Sequence, residues 1–408
     1  MGALDGKLVV VGISGGIAAY RACELVRLLV KAGARVQVVM TEYAARLVGP
    51  LTFQALSGRP VEVGQGGALA EAGMDHIDLG REAELIAIVP ATANTLAKLA
   101  HGLADNLLTT LVLASRAPVV LAPAMNTRMW ENPITRENVT RLRSWPRFSQ
   151  VGPGVGGLAC GEEGEGRLAE PGDILEEILR RLGPQDLQGR RVLVTAGPTR
   201  ESLDPVRYLS NRSSGKMGFA LARAAARRGA EVSLIHGPVA LPGPAGVRCL
   251  PVVSAAEMAR AVLAEAVRAD ALLMAAAVAD FSPARPAPGK LKKASGPPQV
   301  SLVPTRDILA ALGARRARAG KPRVVVGFAA ETGDPRASAR EKLGRKKLDL
   351  VVANDVSRAG AGFDVDTNLV ILVGPEGDEA LPLLGKDEVA GRILDRVVAL
   401  LARKPKRR

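Results

Sequence analysis

Residues 7–12 read KLVVVG and run straight into a turn of small residues, Gly12-Ile13-Ser14-Gly15-Gly16. A segment with helical spacing follows, stops at Gly33, and gives way to a second β-rich run, ARVQVVMT, all before residue 42. A strand, a small-residue turn, a helix and a strand in that order leave few folds open. Two parallel strands need a crossover between them, and a helix in that crossover must lie on the sheet. The alternation continues with strands at ELIAIVPAT (84–92) and APVVLAPAM (117–125) and a helix at TANTLAKLAHG between them. The chain therefore predicts an α/β fold, a doubly wound parallel sheet with helices on both faces.

The pattern breaks at GPQDLQGR (183–190) and restarts with a fresh strand and Gly/Pro loop, RRVLVTAGPTRE. Helix SGKMGFALARAAARRG and strands at AEVSLIHG, ADALLMAAAVAD, KPRVVVGFAAE and LDLVVAND follow. We expect two α/β domains of similar size, residues 1–185 and 186–408, sharing a plan but no obvious repeat. A length of 408 residues suggests two or three domains, and the restart favours two. The Pro-, Gly- and Lys-rich stretch PARPAPGKLKKASGPPQ (283–299) reads either as a mobile loop or as a lid over phosphates.

The net charge of +14 favours anionic partners. With only three Tyr, two Trp and six Phe, a base-stacking platform for nucleic acid is poorly supported, so the expected anions are small phosphorylated molecules. Three cysteines without a CxxC make no disulfide framework, which points to a reducing, cytoplasmic setting. The N-terminus lacks the pattern of a signal peptide, and no apolar run is long enough to span a membrane, so no membrane partner is expected.

In the first half, the turn at Gly12–Gly16 suits an anion, because small residues let backbone N–H groups at a helix start approach a phosphate. Its spacing is not the dinucleotide GxGxxG. It does match GxSxG, the elbow of serine hydrolases, but few histidines exist to complete a triad and only one strand precedes it. Packing alone is the plain structural alternative. Thr41, Pro90, Thr92 and Asn94 follow strands, where open α/β sheets bind ligands. In the second half, Thr195–Thr199 follows a strand and Asn211-Arg212-Ser213-Ser214-Gly215-Lys216-Met217-Gly218 opens a helix. This is not a Walker A loop, and a flexible helix cap explains it equally well. Lys342 and Lys346 stand four apart on one helix face, which by itself fits a solvated basic surface.

SGGIAAY, the HI-x-L around His76, PATANTLAKLAHGLADNLLTT, PAMNTRMW and GLACGEEGEGR together resemble the flavin-dependent phosphopantothenoylcysteine decarboxylases. NRSSGKMG, AAAVADF, KLKK, GFAAET and VANDV resemble the phosphopantothenate–cysteine ligases fused to them in bacteria. These motifs run in the family's order from about residue 7 to 375. The resemblance implies a flavodoxin-like FMN domain followed by a CTP-dependent ligase domain. Its two reactions are ligation of L-cysteine to 4'-phosphopantothenate through an acyl-cytidylate, then decarboxylation of 4'-phosphopantothenoylcysteine to 4'-phosphopantetheine.

The resemblance also implies roles. Ser14, Gly15 and Gly16 would hold the FMN phosphate, and Thr41, Pro90, Thr92, Asn94, Asp105, Asn106 and Leu107 would hold or shape the rest of the flavin site. His76 would be the base, Asn126 would bond the substrate carboxylate, and Cys160 would return a proton to the enethiol left by decarboxylation. FMN would oxidise the thiol and so give the departing carboxylate's electrons a place to go. Without the resemblance, His76 reads as a surface residue, Asp105-Asn106 as a helix cap, and Met125 as packing. Cys23 and Cys249 fit structural positions. In the ligase half, Ala275, Ala276, Ala277, Asp280, Thr305, Arg306, Asp307, Ile308, Phe328, Lys342 and Lys346 would bind CTP. Asn211 would bind the activated intermediate and Lys290 would close over the phosphates, with Mg2+ accompanying the nucleotide on ligands the sequence does not assign. Family members assemble the flavin half as trimers within a dodecamer, with sites between subunits, and the ligase half as dimers. The same self-association is expected here. Competing readings are a chain with one surviving activity, a non-catalytic flavoprotein that binds a partner, and a basic nucleic-acid binder. No role is assigned to residues 61–73.

Overall fold

β1 (Leu8–Ile13) is buried along its whole length, as a central parallel strand covered on both faces must be. Its side chains divide by period two. Leu8 and Val10 enter one apolar cluster and Val9, Val11 and Ile13 the other. In this computed structural model, residues 4–64, 76–157, 161, 163–292, 299–331, 333–355, 357–358, 360, 362 and 365–403 are described. The chain divides into two compact units, Met1–Gly183 and Pro184–Arg408.

The first unit is built on a six-stranded sheet: β1, β2 (Arg35–Met40), β3 (Glu62–Val63), β4 (Leu85–Ala91), β5 (Val119–Pro123) and β6 (Phe148–Gln150). The spatial order is β3-β2-β1-β4-β5-β6, and all neighbours are parallel. The chain winds outward one way from β1 and then the other way from β4, so the switch point lies between their ends. The small-residue turn opens on a short 3-10 helix, Ile17–Arg21, before the α-helix Ala22–Lys31 that the spacing predicts. That helix buries Ala22, Leu25, Val26 and Leu29, an i, i+3, i+4, i+7 stripe, against the sheet beside Ile174 and Ile178 of helix Pro171–Leu182. Helices Ala93–His101, Leu107–Ala114 and Pro133–Arg143 cover the opposite face. Fully burying each such Leu or Val contributes about 1.5–3 kcal/mol. An antiparallel pair, β7 (Gly154–Gly157) and β8 (Glu163–Arg167), projects from the edge of the unit.

The second unit repeats the plan. Its strands are β9 (Arg191–Ala196), β10 (Arg200–Ser202), β11 (Tyr208–Ser210), β12 (Glu231–His236), β13 (Val247–Pro251), β14 (Ala271–Met274), β15 (Phe281–Pro283), β16 (Leu302–Pro304), β17 (Val324–Glu331), β18 (Leu350–Asp355), β19 (Thr367–Asn368), β20 (Val370–Gly374), β21 (Gly377–Ala380) and β22 (Leu384–Gly385). Eight form the main sheet, in order β13-β12-β9-β14-β17-β18-β20-β21. The first six are parallel, but β20 and β21 are antiparallel to their neighbours. The reading from the sequence expects no reversed strand. β20 is the strand that runs against β18, and the two-residue connection through Pro375 and Glu376 then turns β21 back antiparallel to β20. Helices Lys216–Arg227 and Lys386–Ala402 cover one face, and Ala255–Glu265, Ile308–Ala319 and Arg336–Arg345 the other. The hairpins β10–β11 and β15–β16 stand at the edge where the parallel strands end.

Candidate functional site

In the first unit, the C-terminal ends of β1, β2, β4 and β5 surround a cleft of about 970 Å³ that includes Gly15, Gly16, Thr41, Thr92 and Asn126 in its lining. Ser14 lies behind this wall, fully buried. Its hydroxyl donates to the Pro90 carbonyl at 2.6 Å and accepts from the Thr92 N–H at 3.0 Å, which staples the loops on either side of the switch point. Gly15 is glycine because a Cβ there would lie 2.4 Å from Cδ1 of Tyr43.

Five helices begin at the cleft, and their caps are Gly16, Thr41, Thr92, Asn106 and Asn126. The Thr41 and Thr92 hydroxyls accept from Ala44 N–H at 3.3 Å and Thr95 N–H at 3.4 Å. The side-chain oxygens of Asn106 and Asn126 accept from Thr109 N–H at 3.1 Å and Arg128 N–H at 2.8 Å. Each cap thus serves its own helix as well as the wall of the cleft. First-turn N–H groups left over, and the positive ends of the helix dipoles, favour an anion in the space between. Arg21, Lys98 and Arg167 also line it, with Glu42 and Asp105 as the carboxylates. Lys98 bonds Asp105 at 2.7 Å and holds that carboxyl below the usual carboxylate range. Ile17, Tyr20, Tyr43 and Met129 add exposed apolar surface at the rim.

These features fit FMN. The small-residue turn and helix starts suit its phosphate, the apolar rim suits a flat ring system, and the volume suits a cofactor. Of the expected flavin residues, Asn94, Asp105 and Asn106 are also in the lining, whereas Pro90 and Leu107 are buried behind it. The side chain of Leu107 is core, and its N–H donates to Gly64 O at 2.9 Å. Gly64, in the unassigned 61–73 stretch, lines the cleft as well.

His76 opens helix His76–Glu82, half-buried, and is not among the residues lining the cleft of its own chain. Cys160 lies outside the described residues. The hairpin on either side of it is fastened to the Asn126 turn through Met125 N–H to Gly166 O at 3.0 Å. A Cβ on Gly166, whose φ is +155°, would lie 2.3 Å from the Met125 carbonyl oxygen. Cys23 and Cys249 are half-buried, and burial pushes both thiols up, away from the reactive thiolate.

In the second unit, Ala275–Ala277 continue from the end of β14. The Ala276 N–H donates to the Thr195 hydroxyl at 3.1 Å and the Ala277 N–H to Gly197 O at 2.9 Å. Asn211, at the exit of β11, donates to the carbonyls of Ala277 and Val278 at 3.3 and 3.0 Å. Thr305 bonds Ala279 O through its hydroxyl at 2.6 Å and Asp280 O through its N–H at 2.9 Å. Asp307 caps helix Ile308–Ala319, accepting from Ala310 N–H at 2.9 Å, and pairs with Lys346. Burial pushes the Asp307 carboxyl up, but Lys346 and that N–H outweigh it and hold it low. Lys342 donates to the carbonyl of Phe328 at 2.6 Å. Burial lowers its pKa, against the opposing pull of Glu331, Asp280 and Asp307.

Lys342, Lys346, Phe328, Asp280, Thr305 and Asp307 therefore gather at one edge. Two details differ from the reading by spacing. Lys346 follows the end of helix Arg336–Arg345 instead of lying within it, and Ile308 is buried in the core, so only its backbone is available to a ligand. Arg306 and Lys290 are exposed. Among the described residues, no group of three or more His, Cys, Asp or Glu could hold a metal, and no helix is long and apolar enough to cross a membrane. Sequence reasoning gave no role to Arg21, Tyr43, Lys98 and Arg167 at the first cleft, although Lys98 and Arg167 fall inside the motifs PATANTLAKLAHGLADNLLTT and GLACGEEGEGR; nothing local marks Arg21 or Tyr43.

The chain matches two family models, Flavoprotein over residues 2–183 and the DNA/pantothenate metabolism flavoprotein C-terminal domain over residues 187–401. It is 48% identical over 397 residues to the Coenzyme A biosynthesis bifunctional protein CoaBC of Vibrio cholerae, spanning 97% of this chain and 98% of the relative. It is 46% identical over 402 residues to the protein of the same name from Bacillus subtilis, spanning 97% and 98%. Among solved structures, the C-terminal domain of a Coenzyme A biosynthesis bifunctional protein CoaBC superposes with a TM-score of 0.45 at 39% identity, covering 53% of this chain and 98% of that one.

Proposed function

Since the chain belongs to the family of coenzyme A biosynthesis bifunctional proteins, decarboxylase and ligase in one polypeptide, we propose which of its residues carry each step. The observation that carries the reading is the cleft on which five helix starts converge, a main-chain receptor for the phosphate of a flavin.

FMN, when bound, takes up and returns the hydride that allows the carboxylate to leave without net redox change. Gly15 and Gly16 admit its phosphate, Ser14 holds their turn in shape, and Thr41, Thr92, Asn94, Asp105 and Asn106 border the rest. Asn126 orients the carboxylate of 4'-phosphopantothenoylcysteine through its amide donors, since its side-chain oxygen already caps a helix. Cys160 gives a proton to the enethiol carbon. His76 removes the thiol proton, an imidazole being suited to that near neutrality. The flavin unit forms a trimer with its sites between subunits, a reading that rests on the family resemblance.

In the second unit, the carboxylate of 4'-phosphopantothenate attacks the α-phosphate of CTP and pyrophosphate leaves. The amine of L-cysteine then displaces CMP from the acyl-cytidylate. Lys342, Lys346 and Lys290 offset the charge that builds on the departing pyrophosphate, and Mg2+ arrives with the nucleotide phosphates. Asn211, Ala275–Ala277, Asp280, Thr305, Arg306, Asp307, Phe328 and the backbone of Ile308 shape the nucleotide site. This unit works as a dimer. The substrates and the thiol chemistry fit a cytoplasmic enzyme.

The test is direct. The purified protein should be yellow, with a flavin spectrum, and should release pyrophosphate and then CO₂ when given CTP, cysteine and 4'-phosphopantothenate. A colourless protein that stays inactive after added FMN overturns the decarboxylase assignment. Failure to release pyrophosphate from CTP overturns the ligase assignment.

A further inference from the structure

The turn joining β10 to β11 contains a carboxylate, Asp204, that is almost wholly buried, at 3% exposure. Asp204 accepts at one oxygen from the N–H groups of Val206 and Arg207, both at 2.8 Å. At the other it accepts from Arg207 Nε at 2.9 Å and from the N–H of Leu291 at 3.2 Å. The Arg207 guanidinium in turn donates to the Leu291 carbonyl at 2.5 Å. Both main-chain groups of Leu291 are thereby held by one ion pair. Four residues earlier, the Ala287 N–H donates to Leu203 O at 2.9 Å on the same turn. The segment 287–291, with Lys290 inside it, is fastened at both ends.

A Pro- and Gly-rich segment has few main-chain partners of its own, so such external bonds decide where it runs. Burying a carboxylate is costly unless donors surround it, and here four donors do. The other end of the same hairpin is anchored as well. The Ser210 hydroxyl donates to Thr199 O at 2.7 Å, and the next residue, Asn211, donates to Ala277 and Val278. One short hairpin thus grips the Lys290 segment at its tip and presents Asn211 at its foot.

We propose that the β10–β11 hairpin sets the spacing of the ligase site, with Asp204 and Arg207 as positioning residues that act through Lys290. The inference rests on the reading above that Lys290 serves the CTP-dependent step.

Three single variants of the full-length protein, K290A, D204N and R207Q, and the doubles D204N/K290A and R207Q/K290A, test it by pyrophosphate release during turnover of CTP, 4'-phosphopantothenate and cysteine. A cooperative calorimetric transition of the second unit at the wild-type temperature reports that it is folded in each variant, and CO₂ release from supplied 4'-phosphopantothenoylcysteine reports the first unit. We expect D204N and R207Q each to lose on the order of 10- to 100-fold in kcat with little change in CO₂ release, since small misplacements of a reacting group cost that much. Each double should be no slower than K290A alone, because the pair acts only through that lysine. The Arg207 side chain is 45% exposed, so R207Q leaves no hole in the core and keeps the test valid should D204N fail to fold. Wild-type pyrophosphate release in R207Q, or a loss that multiplies with that of K290A, overturns the inference. Full activity in K290A overturns the assignment of Lys290 itself.

Discussion

If Lys342 serves the nucleotide as proposed, its environment sets how that contact depends on pH. Burial lowers its pKa, and the nearby carboxylates of Glu331, Asp280 and Asp307 only partly restore it. A lysine is charged below its pKa, so a lowered value means that the charge is lost at a lower pH than the usual ~10.4. Since kcat/KM reports groups of the free enzyme, its value for CTP should fall on the alkaline side before an ordinary lysine would titrate. Lys342→Arg should move that limb upward, because a guanidinium keeps its proton. A limb that stays put in the arginine variant would show that another group titrates. The place of some cleft-lining residues was readable beforehand, because polar residues just past a strand stand out in an apolar run, as Thr41, Thr92 and Asn94 do, whereas Asn126 was named only through the family resemblance. Others had no local mark. Asp204 meets Leu291 across 87 positions of sequence, and Ser14 meets Pro90 across 76. Only the folded chain brings such partners together.

At the scale of elements, the hairpin β7–β8 is docked by close approach instead of by side-chain bulk. Gly166 lies so near the Met125 carbonyl that Gly166→Ala must push the hairpin off the Asn126 turn. That variant should keep its yellow colour, because most of the cleft proposed for the flavin is walled by other elements, with Gly157, Gly166 and Arg167 at its margin, yet should lose at least about 10-fold in CO₂ release. Unchanged turnover by Gly166→Ala, measured alongside the flavin spectrum, would show that the hairpin plays no part in the reaction. The central strands were legible because both faces of the sheet are covered, which makes them continuous apolar runs. The first helical turn was not, since Ile17–Arg21 winds as a 3-10 helix where the apolar spacing suggests regular α-helix. The antiparallel strands β20 and β21 were missed for a similar reason. Their tight connection is a matter of two residues, and strand content alone carries no direction.

Across the whole molecule, among the described residues, each unit has its own pair of apolar clusters flanking its own sheet, and no cluster draws residues from both units. Folding of one unit therefore needs nothing from the core of the other. A chain cut between Gly183 and Pro184 should yield two pieces that each melt cooperatively by calorimetry, the first still yellow. A first piece that is unfolded on its own would overturn this. The arrangement of five helix starts around the first cleft has a consequence for how such a protein changes over time. Its attraction for a phosphate comes from peptide N–H groups, which every amino acid except proline supplies, so substitution outside the Gly15-Gly16 turn does not easily erase it. The rim can therefore drift toward new thiol-bearing acids while the grip on the coenzyme persists, and an engineer seeking a different decarboxylation has freedom at Ile17, Tyr20 and Met129 without touching the anchor.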